Sequence, residues 1–335
     1  MGKLKVGAGI AQATSLLQAA GLSAARAATS ARCIVASDRW GIGSHGLMRL
    51  PFYLERLQAG GINPDADLKL VTDLPSLAVF DGENGLGHWQ LQAAAELAAD
   101  RAKVNGIAAV GVGRSSHCGA LGIYTAPITA QGLVAIIFST GPAVMPPWGG
   151  TKPVLSTSPL AAGIPTNPPT IIDLATSAVA RGKIAAKAQS GEALEAGWAF
   201  TAEGAPTTDA KLALAGMLAP LGGAKGYALA VLVESLTGAL IGPTLAKDVP
   251  DMFASSQDAL PQEIAHFVIA INADALTVDG SHDRLGEFSQ AVTDSGGRMP
   301  GSNRVDPEHL NSEDEINVAD NVLEQIQTWA ERLKI

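Results

Sequence analysis

The stretch Gly111–Gly122, GVGRSSHCGALG, limits this chain more than any other. It follows the apolar run that starts at Ile107 and leads into Ala120-Leu-Gly-Ile-Tyr-Thr-Ala-Pro-Ile, so it reads as a glycine-rich turn between a buried strand and a helix start. Such turns hold ligands because Gly lets the backbone approach closely and a helix start presents free N–H groups. The first reading to test is a dinucleotide loop of the G-x-G-x-x-G type. It fails twice: Ser116 stands where the third Gly belongs, and no Asp or Glu closes the next apolar run, Leu133–Phe138, where a ribose ligand should sit. A Rossmann loop is therefore rejected. What remains is His117, exposed by its position on a turn and flanked by small residues, the setting of a proton-transfer group; a surface His without a role fits the same pattern.

A chain of 335 residues with 47% apolar composition can bury a sizeable core as one large domain or two interleaved ones. Its net charge of −9 argues against nucleic-acid and anionic-membrane partners and requires that an anionic substrate be met by a local Arg or Lys. Cys33 and Cys118 have neither zinc-ligand spacing nor the look of a disulfide framework, so no metal is expected and a reducing cytoplasm fits. The segment after Lys3 and Lys5 is broken by Gln12, Thr14, Ser15 and Gln18, a poor signal-peptide core that reads as a helix. Tyr227–Ile241 contains Glu234 and falls short of the ~20 residues a membrane span needs.

Along the chain, residues 8–40 predict two packed helices with Ser23 as an N-cap. Leu47, Leu50, Leu54 and Leu57 mark one face of a helix over Leu47–Ala59, which puts Arg49 and Tyr53, four apart, together on another face near Ser44 and His45. Leu68–Val71 and Ser76–Phe80 read as strands, Gly87–Val104 as an Ala-rich helix and Leu133–Phe138 as a strand, followed by an irregular loop to Gly150. Pro153–Leu155, Leu160–Ile164 and Ile171–Leu174 read as successive strands, and a helix from about Ala178 to Gln189 places Thr176 and Ser177 at its N-terminus. Hydroxyls and free N–H groups there suit a phosphate, and an ordinary N-cap looks the same. Gly222-Gly-Ala-Lys-Gly226 sets Lys225 at a second such position, without the Ser or Thr of a P-loop. His266–Ile271 is predicted as a strand, Asp283–Ser295 as a helix and Glu313–Leu333 as a closing amphipathic helix.

Taken together and in order, Ser44-His-Gly46 with Arg49 and Tyr53, Ser116-His-Cys-Gly119, Ser156-Thr-Ser-Pro159, Asp173-Leu-Ala-Thr-Ser177, Arg181-Gly-Lys183 and Ala224-Lys-Gly226 resemble the type-2 malate/L-lactate dehydrogenase family. That family also contains ureidoglycolate, sulfolactate and diketogulonate oxidoreductases and the cyclic imine reductases. The resemblance runs from roughly Ala20 to Gly301. It implies an NAD- or NADP-dependent oxidoreductase with an α/β, non-Rossmann nicotinamide-binding fold: a central mixed, largely antiparallel sheet and a helical second domain. It further implies a homodimer, with residues 1–72 and 285–335 forming the helical part and 73–284 the cofactor-binding part.

By the same resemblance Ser44, His45, Arg49 and Tyr53 belong to the substrate site, with Thr157 nearby. Asp173, Leu174, Ala175, Thr176, Ser177, Lys225, Gly226 and Gly301 belong to the cofactor, with His117 beside the nicotinamide. Two motifs depart from the family pattern: Pro300-Gly-Ser302 lacks the usual Glu, and Ser158-Pro159 replaces Asn-Pro. Reduction of a 2-keto acid needs a hydride, an acid for the forming alkoxide and a cation for the carboxylate. His45 is the favoured acid with His117 its rival, and Arg49 is the clamp. Arg181 either pairs with a 2′-phosphate, favouring NADP, or faces solvent. Lys183 stands where, by the resemblance, the imine reductases carry Asp; a Lys there favours a second anionic group, unless it too merely faces solvent. The expectation is a small 2-keto acid such as pyruvate, oxaloacetate or a relative with a polar tail. A cyclic imine is the alternative, and a non-catalytic binding protein that kept the fold is the alternative of another class.

Overall fold

The computed structural model describes residues 2–251, 254–278 and 281–335. The chain opens with strand β1 (Gly2–Lys5) and helices α1 (Val6–Ala19) and α2 (Ala24–Arg39), the latter capped by Ser23, whose hydroxyl accepts from the Arg26 N–H at 3.5 Å. Two 3-10 turns, Gly43–His45 and Leu47–Arg49, lead into α3 (Leu50–Ala59), which Gly60 ends at φ +86°. The apolar stripe read from the sequence is real: Leu47, Leu50, Leu54 and Leu57 all face the core.

Then come β2 (Lys69–Leu74), β3 (Leu77–Asp81), α4 (Gly87–Asn105), β4 (Ile107–Ser115), a 3-10 turn into the short α5 (Ala126–Thr129), β5 (Leu133–Ser139), β6 (Leu160–Ile164) and β7 (Thr170–Leu174). A smaller unit follows: α6 (Arg181–Ser190), β8 (Ala199–Phe200), β9 (Pro206–Thr207), α7 (Ala210–Leu214), β10 (Met217–Leu218) and α8 (Ala224–Glu234), which runs on into a turn of π-helix, Ser235–Ala239. The chain closes with β11 (Ile264–Asn272), α9 (Ser281–Asp294), β12 (Glu315–Val318) and α10 (Asp320–Leu333).

The central sheet has seven strands in the order β2-β3-β4-β11-β5-β6-β7. Only β3 and β4 pair in parallel, because α4 carries the chain back across the sheet between them. Every other neighbour in that sheet is antiparallel, so the sheet is mixed and largely antiparallel. Helix α4 packs on it through Ala94, Ala95, Ala98, Ala99 and Ala102, all fully buried; side chains this small let helix and sheet approach closely. A second core joins α1, α2, α3 and α10, and a third, unforeseen in the sequence, fills the unit between Met145 and Ala230.

Several sequence expectations are corrected. The N-terminal segment is not helical from its start: Gly2–Lys5 pairs antiparallel with Glu315–Val318, so the last helix begins at Asp320 and not at Glu313. Ile316 and Val318 alternate inward along that short strand, and Lys3–Glu315 and Lys5–Glu313 ion pairs line its outer side. Pro153–Leu155 is not a strand but makes a single bridge, Met145 with Leu155. The helix expected at Ala178 begins at Arg181, because residues 176–178 are held extended against 219–221: Ser177 bridges Pro220, and the Ala178 N–H donates to Ala219 O at 2.7 Å. The helix expected at Tyr227 begins at Ala224. No helix of the described residues is long and apolar enough to cross a membrane.

Candidate active site

The turn between α2 and α3 is shaped by Asp38. Its Oδ2 accepts the Leu47 N–H at 2.7 Å, and a Cβ on Gly46 would overlap its carboxylate, so only Gly fits there. Burial pushes the Asp38 carboxyl up to about 7, against the pull of the Leu47 N–H. Folded back this way, the turn presents Ser44 Oγ 2.9 Å from His45 Nδ1. Arg49 donates from Nε to Ser44 O at 2.9 Å, so the guanidinium and the imidazole share one anchor.

His117 arrives from the turn after β4. That turn is fixed by the start of α4, where the Gly87 N–H donates to Ser116 Oγ at 3.0 Å. His117 is half-buried, not exposed as its turn position implied, because its ring stacks on His45 with centroids 5.7 Å apart and planes 22° apart. Tyr53, fully buried on α3, brings its hydroxyl to 2.7 Å from His117 Nδ1, and the Gly119 N–H donates to the same nitrogen at 3.3 Å. A backbone N–H can only donate, so Nδ1 is the acceptor and the ring proton sits on Nε2. The His117 N–H in turn donates to Gln262 Oε1 at 3.1 Å.

Two further histidines surround this pair. His88, in the first turn of α4, is fully buried and meets the Tyr53 ring edge-on at 4.8 Å. His266 on β11 lies 2.9 Å from Ser139 Oγ through Nδ1 and 3.2 Å from Ser115 Oγ through Nε2. Burial lowers all four: His45 to about 4 with help from the Arg49 charge, His88 to about 3, His266 to about 4 and His117 well below its ordinary value. At neutral pH the cluster is a set of uncharged imidazoles beside one guanidinium. Burial lowers the Arg49 pKa too, so an arriving anion would relieve a charge held at a cost.

The remaining predicted residues fall into a second group. Thr157 O accepts both the Thr176 N–H at 2.9 Å and the Thr176 hydroxyl at 3.0 Å. Ser177 donates its hydroxyl to Val179 O, so neither Thr176 nor Ser177 stands at a helix N-terminus offering its hydroxyl. Leu221 N–H donates to Thr176 O at 2.8 Å, and a Cβ on Gly226 would overlap the Leu221 backbone, which brings the Asp173–Ser177 segment, Leu174 and Ala175 included, onto the Lys225–Gly226 turn. The Asp173 carboxyl faces inward against Gly122, with Arg304 3.9 Å away, and burial raises its pKa. Gly301, at φ +67°, lies so close to Ile171 that a Cβ would overlap its carbonyl, while Pro300 O accepts the Ile171 N–H at 2.9 Å. Arg181 donates to Leu214 O at 3.3 Å and lines a cavity of about 60 Å³ with Val144, Ala213 and Leu218. Lys183 is exposed on α6, and among the described residues no hydrogen bond or ion pair joins it to the histidines.

Sequence reasoning missed Asp38, His88 and Gln262. A lone His inside an Ala-rich helix start was a usable signal for His88; nothing local marks Gln262, which a long connection delivers to the site.

The fold and site define an α/β protein with a mixed sheet whose rim carries one histidine of a stacked pair, the other coming with an arginine and a tyrosine from the helical layer. The chain belongs to the malate/L-lactate dehydrogenase family, whose profile matches residues 9–327. It is 36% identical over 295 residues, 87% of each chain, to the (2R)-3-sulfolactate dehydrogenase (NADP(+)) of Chromohalobacter salexigens. It is 32% identical over 312 residues, 91% of this chain and 92% of the other, to the Δ1-pyrroline-2-carboxylate/Δ1-piperideine-2-carboxylate reductase of Pseudomonas aeruginosa. The solved sulfolactate dehydrogenase of Methanocaldococcus jannaschii superposes with a TM-score of 0.88 at 28% identity, covering 100% of this chain and 98% of that one.

Proposed function

We propose that this protein is an NAD(P)-dependent dehydrogenase of a small 2-hydroxy acid, of the malate, lactate or sulfolactate type. The observation that carries the reading is the stacked His45–His117 pair beside Arg49, with each Nδ1 already engaged by a hydroxyl, Ser44 or Tyr53. Both Nε2 atoms are then left for a substrate oxygen. Their roles differ. His117 is locked as the Nε2–H tautomer, and burial, with the neighbouring His45 and Arg49 charges, disfavours its charged form, so it serves as a neutral hydrogen-bond donor. His45 moves the proton: Nδ1–H directed at Ser44 Oγ leaves Nε2 free to take the hydroxyl proton in oxidation and return it in reduction.

Arg49 holds the carboxylate and thereby also arms His45. Its charge is one of the causes that lower the His45 pKa, so a carboxylate docked on it raises that pKa in the complex. The imidazolium needed for reduction is thus favoured only once an anionic substrate is bound.

A bound nicotinamide dinucleotide supplies the hydride acceptor or donor. The residues present fit one: Lys225 is exposed in the first helical turn of α8, and Gly222 ahead of it has open space where a side chain would stand. In this reading Lys225, Gly226 and the Asp173–Ser177 segment hold the cofactor, while Ser44 and Thr157, the latter bonded through its carbonyl to Thr176, meet the substrate. The relation to an enzyme named for 3-sulfolactate and NADP(+) supports NADP as the cofactor with Arg181 as partner of its 2′-phosphate, and Lys183 as a contact to a second anionic group of the substrate. The relation to a cyclic imine reductase keeps that activity as the second reading. The helical layer 1–72 with 285–335 as a substrate and dimerisation domain, a cofactor domain over 73–284, a homodimer and a cytoplasmic setting suited to two buried free cysteines complete the proposal.

The experiment is a steady-state panel with NADPH and NADH against 3-sulfopyruvate, oxaloacetate, pyruvate and Δ1-piperideine-2-carboxylate. A preference for a keto acid with a second anionic group is the expected outcome. A preference for the cyclic imine contradicts the role given to Lys183, and inertness toward all four defeats the dehydrogenase reading.

A further inference from the structure

Of the five tryptophans, one is strongly exposed: Trp148, at 62%, in the loop between β5 and β6. The other four are at least partly covered, and three of them, Trp40, Trp89 and Trp329, lie against arginines of their own fold, Arg304, Arg26 and Arg332. Trp148 is not a loose side chain. The loop is closed at its base, where Met145 and Leu155 exchange hydrogen bonds of 2.9 and 3.1 Å, and its tip is a turn in which the Gly150 N–H donates to Pro147 O at 2.9 Å. Pro146 and Pro147 restrict the backbone before the indole. A fixed, outward-facing aromatic plane is a surface prepared for something flat, because little conformational freedom is lost when a partner covers it.

The position of the ring says what kind of partner. A Cβ on Gly223 would lie 3.0 and 3.1 Å from two carbons of the indole, so the ring rests against the glycine that precedes α8 and Lys225. A continuous run of contacts leads from there back to the histidines. Leu221, two residues before Gly223, bonds Thr176; the segment continues back to Asp173, which packs on Gly122 of the turn that follows His117. Trp148 stands at the end of that run farthest from His117, and Gly226, next to Lys225, packs on Leu221 and Thr176 within it. A dinucleotide has the same order: nicotinamide, two phosphates, adenine.

We propose that Trp148 is the stacking surface for the adenine ring of the dinucleotide. This rests on the proposed cofactor-dependent function and adds to it an adenine subsite that no catalytic residue touches. Stacking of a base on an aromatic side chain changes affinity by about 5- to 150-fold.

The test is equilibrium titration of the purified full chain. The ligands are whichever of NADPH and NADH binds the wild type more tightly, and its adenine-only fragment, 2′,5′-ADP or ADP, by calorimetry. Trp148→Ala should weaken the dinucleotide and the fragment by the same factor within that range, while Trp148→Phe, which keeps a π face, should lose less. Dinucleotide binding that Trp148→Ala leaves intact overturns the stack alone, as does a loss seen with the dinucleotide and not with the fragment, which would put the indole at the nicotinamide. A wild-type protein that binds neither dinucleotide defeats the proposed function itself, and the stack with it.

Discussion

At the scale of single residues, the site works by keeping basic groups uncharged. His45, His88, His117 and His266 have lowered pKa values in the folded chain, so between the ordinary histidine value of about 6.5 and about 4 the unfolded chain binds more protons than the folded one. Their contribution to stability is therefore complete above about 6.5 and is lost as pH falls toward 4. Asp38 runs the other way. Its folded pKa of about 7 lies above the ordinary carboxylate value, so its contribution is present at acid pH and is lost as pH rises through 7. Thermal unfolding followed across pH 4–8 should show stability rising from pH 4 to 6.5, and Asp38→Asn should be relatively more stable than wild type toward the top of the range. A wild-type Tm flat from pH 4 to 6.5 would contradict the buried neutral histidines. Arg49→Lys keeps the charge but loses the planar fork, so it should raise KM for the acid more than it lowers kcat. A fall in kcat with KM unchanged would mean that Arg49 acts in the transition state alone.

At the scale of elements, legibility followed length and period. Helices α1, α2 and α4 were readable because each repeats its apolar spacing over three or more turns, and Ser23 marks a start in chemical terms. Strands β1 and β12 were not, because four residues with alternate charges carry too little pattern, and their partners lie at opposite ends of the chain. The segment 176–178 was misread because its small polar residues look like a helix cap, whereas long-range pairing to 219–221 draws it out straight. The same limit hid half of the candidate site. Ser44, His45 and Arg49 stand within six residues and read as a group, but Gln262 reaches His117 only through the tertiary fold. The close seating of α4 on the sheet yields a prediction at this scale: Ala98→Leu should destabilise the protein by about 1–3 kcal/mol through overpacking, measurable by denaturant unfolding.

At the scale of the whole molecule, two layers must meet for the site to exist, since Arg49 and Tyr53 belong to the helical layer while His117 and His266 hang on the sheet. Arg56 on α3 helps to hold them together. It is fully buried, donates to Gln257 O at 3.2 Å and to Leu260 O, and lies 3.5 Å from Asp258, on the same stretch that ends in Gln262. Arg56→Ala should lower stability by about 3 kcal/mol or more and reduce kcat as well, while Lys3→Ala, which breaks an exposed pair, should move stability by about 1 kcal/mol at most. An Arg56→Ala protein with wild-type Tm and kcat would show that the layers do not depend on this anchor. The proposed chemistry depends on His45 as the group that moves the proton. Its most direct test is kcat for keto-acid reduction as a function of pH, in wild type and in His45→Asn. The wild-type kcat should fall as pH rises through a single ionisation displaced upward from the free-enzyme value of about 4, and His45→Asn should lose about 10²–10⁴-fold in kcat together with that ionisation. A His45→Asn enzyme that keeps the wild-type kcat and the same pH dependence would contradict it.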